Sequence, residues 1–385
     1  MKNNWGILIL LLVSLSSFSQ EFINKKFESK ELRSTRDLKI YLPEGYQKDS
    51  INNYPLAIII DGEHLFDTYV ASSKLFSMTD KAPKQIVVGI QINKTREEDT
   101  YFDENTYQLT GGNVKFLRFI KNEILPFMEG SYRTSPFISI IGQGSSVNLV
   151  TQFLNEKPPI FNAYIAINPL FAPNITAKTM SFQVDKFEKE DNTFYLYIND
   201  APFFSKEKKK PLPELKTYLS SISAKNFHFK YDEMNSESYI SSLGEAIPRA
   251  MDKIFETYGS ITTKEFEEKI KALEPSDAIA YLENKYLDID FLFGSNLGIR
   301  EKDIFIIEDV IIDKEDGDYL RNFGEMILNV YPRSHIGDYY VGLYFEKKGK
   351  MSLALESYRS GYDKMSNSDP NKSLFYTNIE RVSGR

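Results

Sequence analysis

The chain contains no cysteine and only three histidines in 385 residues. The missing thiols exclude disulfides, a lipid-modified N-terminal cysteine, thiolate zinc sites, iron–sulfur clusters and a cysteine nucleophile. Any histidine-based metal site or proton relay must draw on His64, His228 and His335. Positive charge is in deficit too: 47 Lys and Arg stand against 54 Asp and Glu, a net charge of −7. Nucleic acid and anionic lipid demand many phosphate-neutralising groups, so neither is an expected partner. With 16 Pro and 20 Gly, the chain is neither low-complexity nor fibrous. No cofactor or resident metal is expected. Gly111-Gly112 lacks the strand–glycine–helix frame of a nucleotide site, and neither EF-hand nor H-E-x-x-H spacing occurs.

Only one long apolar run is present, and it stands at the start. Lys2 precedes an almost wholly apolar stretch from Trp5 to Leu15, and Ser17-Phe18-Ser19 follows with small residues where a signal peptidase cuts. Residues 1–19 therefore read as a signal peptide cleaved near Ser19/Gln20. The run is too short for the ~20 residues that a spanning helix needs. The mature chain is expected in the periplasm or secreted, with no membrane span.

Residues 27–258 alternate short β-rich runs with amphipathic stretches. Strands are predicted at 37–42, 56–60, 85–90, 137–141, 163–167, 194–198 and 227–231. LAIII and IVVGI are continuous apolar runs, as in strands buried on both faces. Helical spacing of apolar residues marks 112–132, 145–154 and 244–258. This alternation predicts an α/β fold with a mostly parallel, doubly wound sheet. From 263 to 385 the pattern is helical throughout, with the boundary placed at 259–263. There Gly342, Gly349, Ala354, Tyr358 and Gly361 take the spacing of a tetratricopeptide repeat, so 335–365 resembles one such unit, with 303–330 as an irregular partner. This small all-α, TPR-like domain reads either as a stabilising cap or as a groove for an envelope protein partner.

A family resemblance emerges in the first half. Tyr41-Leu42-Pro43-Glu44-Gly45-Tyr46, then IIIDGEHLF, IVVGI, a polar turn with Arg96 and Asp99, FLRFIKNEILPFMEGSYRT and ISIIGQGSS follow in that order. The series resembles the secreted putative-esterase (esterase D-like) family of α/β-hydrolases, over roughly 27–258. The resemblance implies a nucleophile elbow after a central strand and an ester-binding cleft above it.

The sequence departs from that pattern at the elbow itself. A G-x-S-x-G motif presents a serine on a strained strand-to-helix turn, whereas this chain reads Gly142-Gln143-Gly144-Ser145-Ser146 and puts Gly144 at the nucleophile position. Ser145 and Ser146 follow the apex, where helix N-capping is the alternative to catalysis. The family's histidine segment resembles N-H-x-S; here Asn235-Ser236-Glu237-Ser238 places Ser236 where the imidazole belongs. Serine does not accept a proton at neutral pH as imidazole does. Asp200, just beyond a predicted strand, takes the triad acid position. Asp61, Gly62, Glu63 and His64 are expected to line the oxyanion side of the cleft together with Gln143 and Ser145. His228 falls inside a strand and His335 opens the repeat-like segment.

Three readings follow for function. The first is a catalytically inactive pseudo-hydrolase binding a small ester or carboxylate ligand, or a protein partner. The second is an active ester hydrolase using Ser145 or Ser146 with His64. The third is an adaptor acting through its helical domain. Asp232, Glu233 and Glu237 read as either a cation site or a solvated loop, and Lys206–Lys210 (KEKKK) as a solvated basic loop or a docking element. The aromatics of 100–107 and of Pro202-Phe203-Phe204 suit a lid or core packing equally.

Overall fold

A computed structural model of the protein describes residues 22–101, 111–154, 156–171, 190, 192–204, 209–236, 238–295, 297–312 and 317–384. The expected signal segment lies outside them. The chain divides into two units. One comprises the described residues up to Tyr258 together with Leu292–Ser295; the other takes Gly259–Phe291 and the described residues from 297 on.

The first unit is built on eight strands: β1 (Phe22–Ser29), β2 (Ser34–Tyr41), β3 (Tyr54–Ile59), β4 (Ile86–Ile90), β5 (Thr134–Gln143), β6 (Ala163–Ile167), β7 (Phe194–Asp200) and β8 (Phe227–Glu233). They form one sheet in the order β1-β2-β4-β3-β5-β6-β7-β8. Every residue of β3, β4 and β6 is buried, as their continuous apolar sequences require of strands covered on both faces. β3 to β8 pair in parallel, while β2 is antiparallel to both β1 and β4. Because β3 lies between β4 and β5, consecutive crossovers leave it in opposite directions. α/β sheets receive ligands at such a reversal, outside the carboxyl ends of the strands, here those of β3 and β5.

Each predicted strand is present, and the structure adds elements that the sequence pattern does not mark, an edge strand and a long helix among them. β1 (FINKKFES) is an edge strand whose residues are mostly exposed or half-buried; its lysines suit an unpaired edge and hide any alternation. The helix Gly62–Met78 follows β3 directly. The helix predicted at 244–258 instead spans Tyr239–Ile254, starting where Ser238 Oγ accepts the Ser241 N–H at 3.1 Å.

Leu292–Ser295 also departs from the predicted division, which gave all of 263–385 to the helical domain. Phe293 is fully buried, its ring centroid 4.9 Å from Phe137, 5.5 Å from Phe255 and 5.8 Å from Tyr258. Burial of one large aromatic supplies a few kcal/mol, about 1.5–3, which is reason enough for this segment to belong with the sheet's aromatic core.

His228 sits in β8 as predicted, stacked on Tyr195 at 5.2 Å and 21°. Burial, aided by the Lys253 ammonium, holds its imidazole below the ordinary histidine range. The fold therefore favours neutral His228. Its contribution is complete above the unfolded value near 6.5 and is lost as pH falls below it. Stability should decline between pH 7.5 and 5.5 more steeply in the wild type than in His228→Phe, as read by urea midpoints; parallel profiles would contradict this.

In the second unit, the helices Ile336–Lys347, Met351–Lys364 and Lys372–Ser383 pack in succession. A Cβ on Gly342 would lie 2.5 Å from the Tyr358 ring, and one on Gly361 2.3 Å from the Phe375 ring. Each glycine thus admits a buried aromatic from the next helix. Gly342→Ala is expected to cost about 1–3 kcal/mol through overpacking, measurable by denaturant unfolding; an unchanged midpoint would show that the helices do not need this approach.

Candidate functional site

Asp61 follows β3 and is completely buried. Its Oδ2 accepts the Gln143 N–H at 2.8 Å, and its Oδ1 accepts the Ser146 hydroxyl at 3.1 Å and Arg96 Nη1. Arg96 Nη2 donates in turn to the Gln143 carbonyl at 3.1 Å. One carboxylate therefore binds the end of β3 to the end of β5 and fixes a guanidinium above both. Burial pushes the Asp61 carboxyl upward from its usual range; Arg96 leads the groups that draw it back.

Arg96 and Thr100 stand on the short helix Arg96–Thr100, which is itself anchored from beneath. The buried Asp99 carboxylate accepts Arg36 Nη2 at 2.9 Å and the Thr95 hydroxyl at 2.6 Å. Thr100 Oγ1 donates to the Arg96 carbonyl at 2.8 Å, so in its 2.9 Å contact with Ser145 Oγ the serine is the donor.

Gly144 lies between β5 and the helix Val147–Phe153, within the turn Gly144–Ser146, at φ +55°. This left-handed conformation is the one that a sharp strand-to-helix elbow requires. A Cβ on Gly142 would lie 3.0 Å from Val150 and 3.2 Å from the Ser146 carbonyl, so a small residue there lets the helix close onto the strand. At Gly144 the same construction meets Arg96 Nη2 at 3.7 Å and Tyr239 Oη at 3.8 Å. Tyr239 opens the helix Tyr239–Ile254 and donates its hydroxyl to Gln143 Oε1 at 3.1 Å. Burial, with Asp61 nearby, pushes this phenol up to about 12, so it remains a neutral donor at physiological pH. Phe203 and Phe204 meet its ring edge-on at 5.8 and 6.1 Å.

Of the residues expected at the cleft, Asp61, Gln143, Gly144 and Ser145 come together, and others do not join them. Gly62 is pressed against β4, where a Cβ would lie 2.8 Å from the Gly89 backbone. Glu63 Oε2 accepts the Ile92 N–H at 3.1 Å. His64 is exposed on the first turn of Gly62–Met78, beside the buried Leu65 and Phe66. Asp200 pairs with Lys209 at 2.7 Å, which removes at least this lysine from the solvated basic loop. Lys209 also donates to the Ala201 carbonyl at 3.1 Å. Ser236 Oγ donates to Glu245 Oε1 at 3.0 Å. Asp232 accepts the Tyr197 hydroxyl and Glu233 pairs with Lys216, while Glu237 lies outside the described residues. Among the described residues no group of three His, Cys, Asp or Glu is arranged to hold a metal ion. The candidate lid residues 102–107 also lie outside the described residues.

The sequence reading missed Tyr239, the pairing of Arg96 with Asp61, and a neutral amide network at the ends of β6 and β7. In that network Asn199 Nδ2 donates to Asn168 Oδ1 at 2.7 Å, and Asn168 Nδ2 donates to Ser242 Oγ at 2.6 Å.

Residues 29–221, half of the chain, match the family described as putative esterase. The chain belongs to the putative esterase family. Among relatives of this putative esterase family member, the uncharacterized protein YjcH of Bacillus subtilis (strain 168) is 28% identical over 153 residues, 38% of this chain; the chain spans 60% of that relative's length. A solved structure from Capnocytophaga ochracea DSM 7271, of an uncharacterised protein, superposes with a TM-score of 0.82 at 22% identity. That match covers 94% of this chain and all of the other. An IroE-like serine hydrolase from Shewanella oneidensis has a TM-score of 0.56, also at 22% identity, covering 87% of this chain and 99% of its own. These likenesses establish the α/β-hydrolase fold followed by a helical region.

Removing the Asp61 carboxylate strands Arg96, the Gln143 N–H and the Ser146 hydroxyl together. Asp61→Ala is expected to destabilise the protein by about 3–5 kcal/mol, measured by urea unfolding of the full chain; a loss below about 1 kcal/mol would mean that the pair behaves as a surface ion pair.

Proposed function

We propose that this putative esterase family member binds a small ligand bearing a carbonyl or carboxylate above the elbow without hydrolysing it, and that it acts outside the cytoplasm after removal of residues 1–19. Gly144 carries the reading: the backbone turn that presents a nucleophile is retained at φ +55°, and the residue on it has no hydroxyl. A serine hydrolase deprived of its nucleophile or base loses about 10⁶ in turnover, and losing both adds little because they act as a unit.

Neighbouring groups do not supply a substitute. Ser145 directs its proton to Thr100 and Ser146 directs its own to Asp61, so neither hydroxyl is bonded to an imidazole. Ser236, in the base position, donates to a carboxylate, and Asp200, in the acid position, is held by Lys209. Directed donors beside the elbow persist, and such donors bind a carbonyl oxygen whether or not a nucleophile stands next to them.

Short-chain acyl-nitrophenyl esters should turn over at the background rate, unaffected by Ser145→Ala; enzymatic turnover abolished by that substitution would refute the reading. Turnover is expected to appear in Gly144→Ser combined with Ser236→His and in neither single variant, since nucleophile and base are needed together.

A further inference from the structure

We propose that the elbow seats the carboxylate of an apolar acid, with one carboxylate oxygen near the point where a side chain on residue 144 would begin, between Arg96 Nη2 and Tyr239 Oη. The inference rests on the binding reading above and names the ligand class for it.

Outside the turn itself, Arg96 Nη2 and Tyr239 Oη are the described atoms that come within 4 Å of a Cβ built on Gly144, at 3.7 and 3.8 Å. Both are polar, and an atom at that point needs to shift by only about 0.8–0.9 Å toward either one to reach hydrogen-bond length. A methyl group there would gain little from these neighbours, whereas an oxygen would meet two donors. Any β-carbon on residue 144 would occupy that ground; glycine leaves it to a ligand.

The donors suit an anion. A guanidinium has five N–H groups. Arg96 directs Nη1 to Asp61 and Nη2 to the Gln143 carbonyl, which holds the fork still and leaves its other hydrogens for the cleft. Charge-assisted bonds from arginine to carboxylate are about twice as strong as neutral ones. Tyr239 stays protonated. Half a turn of the Gln143 amide converts that group from acceptor to donor, and the phenol proton then points to the ligand. Phe203 and Phe204, half-buried beside the Tyr239 ring, offer an apolar wall for the body of the acid. A neutral ester fits the wall equally and its carbonyl meets the same donors, but it brings no negative charge to the guanidinium, so the site discriminates for the acid.

Isothermal titration of the full chain with sodium hexanoate and with methyl hexanoate tests this. Hexanoate should bind at least about tenfold more tightly than its methyl ester, the ratio expected of one hydrogen bond to a charged group. Gly144→Ala should erase that preference by putting a carbon where the oxygen sits. Tyr239→Phe, which keeps the ring and loses only the hydroxyl, should weaken hexanoate severalfold; it keeps the inference testable if the alanine variant does not fold. Equal or tighter binding of the ester, no binding of either probe to the wild type, or hexanoate affinity indifferent to both variants would each overturn the inference. Hydrolysis of methyl hexanoate during the titration would overturn the underlying non-hydrolytic reading instead.

Discussion

A single buried carboxylate sets the geometry of the whole site. Asp61 terminates one central strand, and its two oxygens bind the backbone of the neighbouring strand, the serine two residues past the elbow and the arginine overhead. An uncompensated charge at zero exposure is prohibitively unfavourable, so these partners are obligatory for any folded state that keeps Asp61 ionised. The consequence reaches beyond stability. The same constraint that satisfies Asp61 immobilises Arg96 directly over Gly144, and the Arg36–Asp99 pair beneath the short helix fixes Arg96 from its other side. A preorganised cation above a turn is a binding device whether or not chemistry follows.

Under the proposed non-hydrolytic reading, that preorganisation would let the fold hold a ligand while the residues in the catalytic positions serve other ends. In a hydrolase the hydroxyl, imidazole and carboxylate form a relay along which one proton moves. Here the base and acid positions close local bonds, Ser236 with Glu245 and Asp200 with Lys209, and Ser145, next to the nucleophile position Gly144, bonds Thr100. Among the described residues, no chain of donors leads from Gly144 to an imidazole, and the polar side-chain atoms beside a Cβ built on Gly144 belong to Arg96 and Tyr239.

Much of the architecture was legible because its signals are local. LAIII and IVVGI declare strands buried on both faces, and the pairing of β3 with β4 and β5 follows. The edge strand β1 was not legible, since FINKKFES becomes a strand only through its partner β2. Gly144 could be located from the motif around it, because an elbow is a property of five consecutive residues. Tyr239 could not: it lies 96 positions from Gln143, and Arg96 lies 35 from Asp61. Nothing in either local pattern says that a tyrosine opening one helix and an arginine opening another share a neighbour. His64, placed on the oxyanion side by the family resemblance, stands exposed on the first turn of the helix that follows Asp61. The terminal residues of the helix Pro275–Phe293 were hidden likewise, for the aromatic cluster that recruits Phe293 is assembled from Phe137, Phe255 and Tyr258.

On the proposed reading, no side chain at the elbow is an activated nucleophile. Exposure of the purified mature chain to a fluorophosphonate, followed by intact-mass measurement, addresses it without assuming a substrate. An unmodified mass is expected after prolonged incubation, whereas stoichiometric phosphonylation mapped to Ser145 or Ser146 would contradict the non-hydrolytic reading.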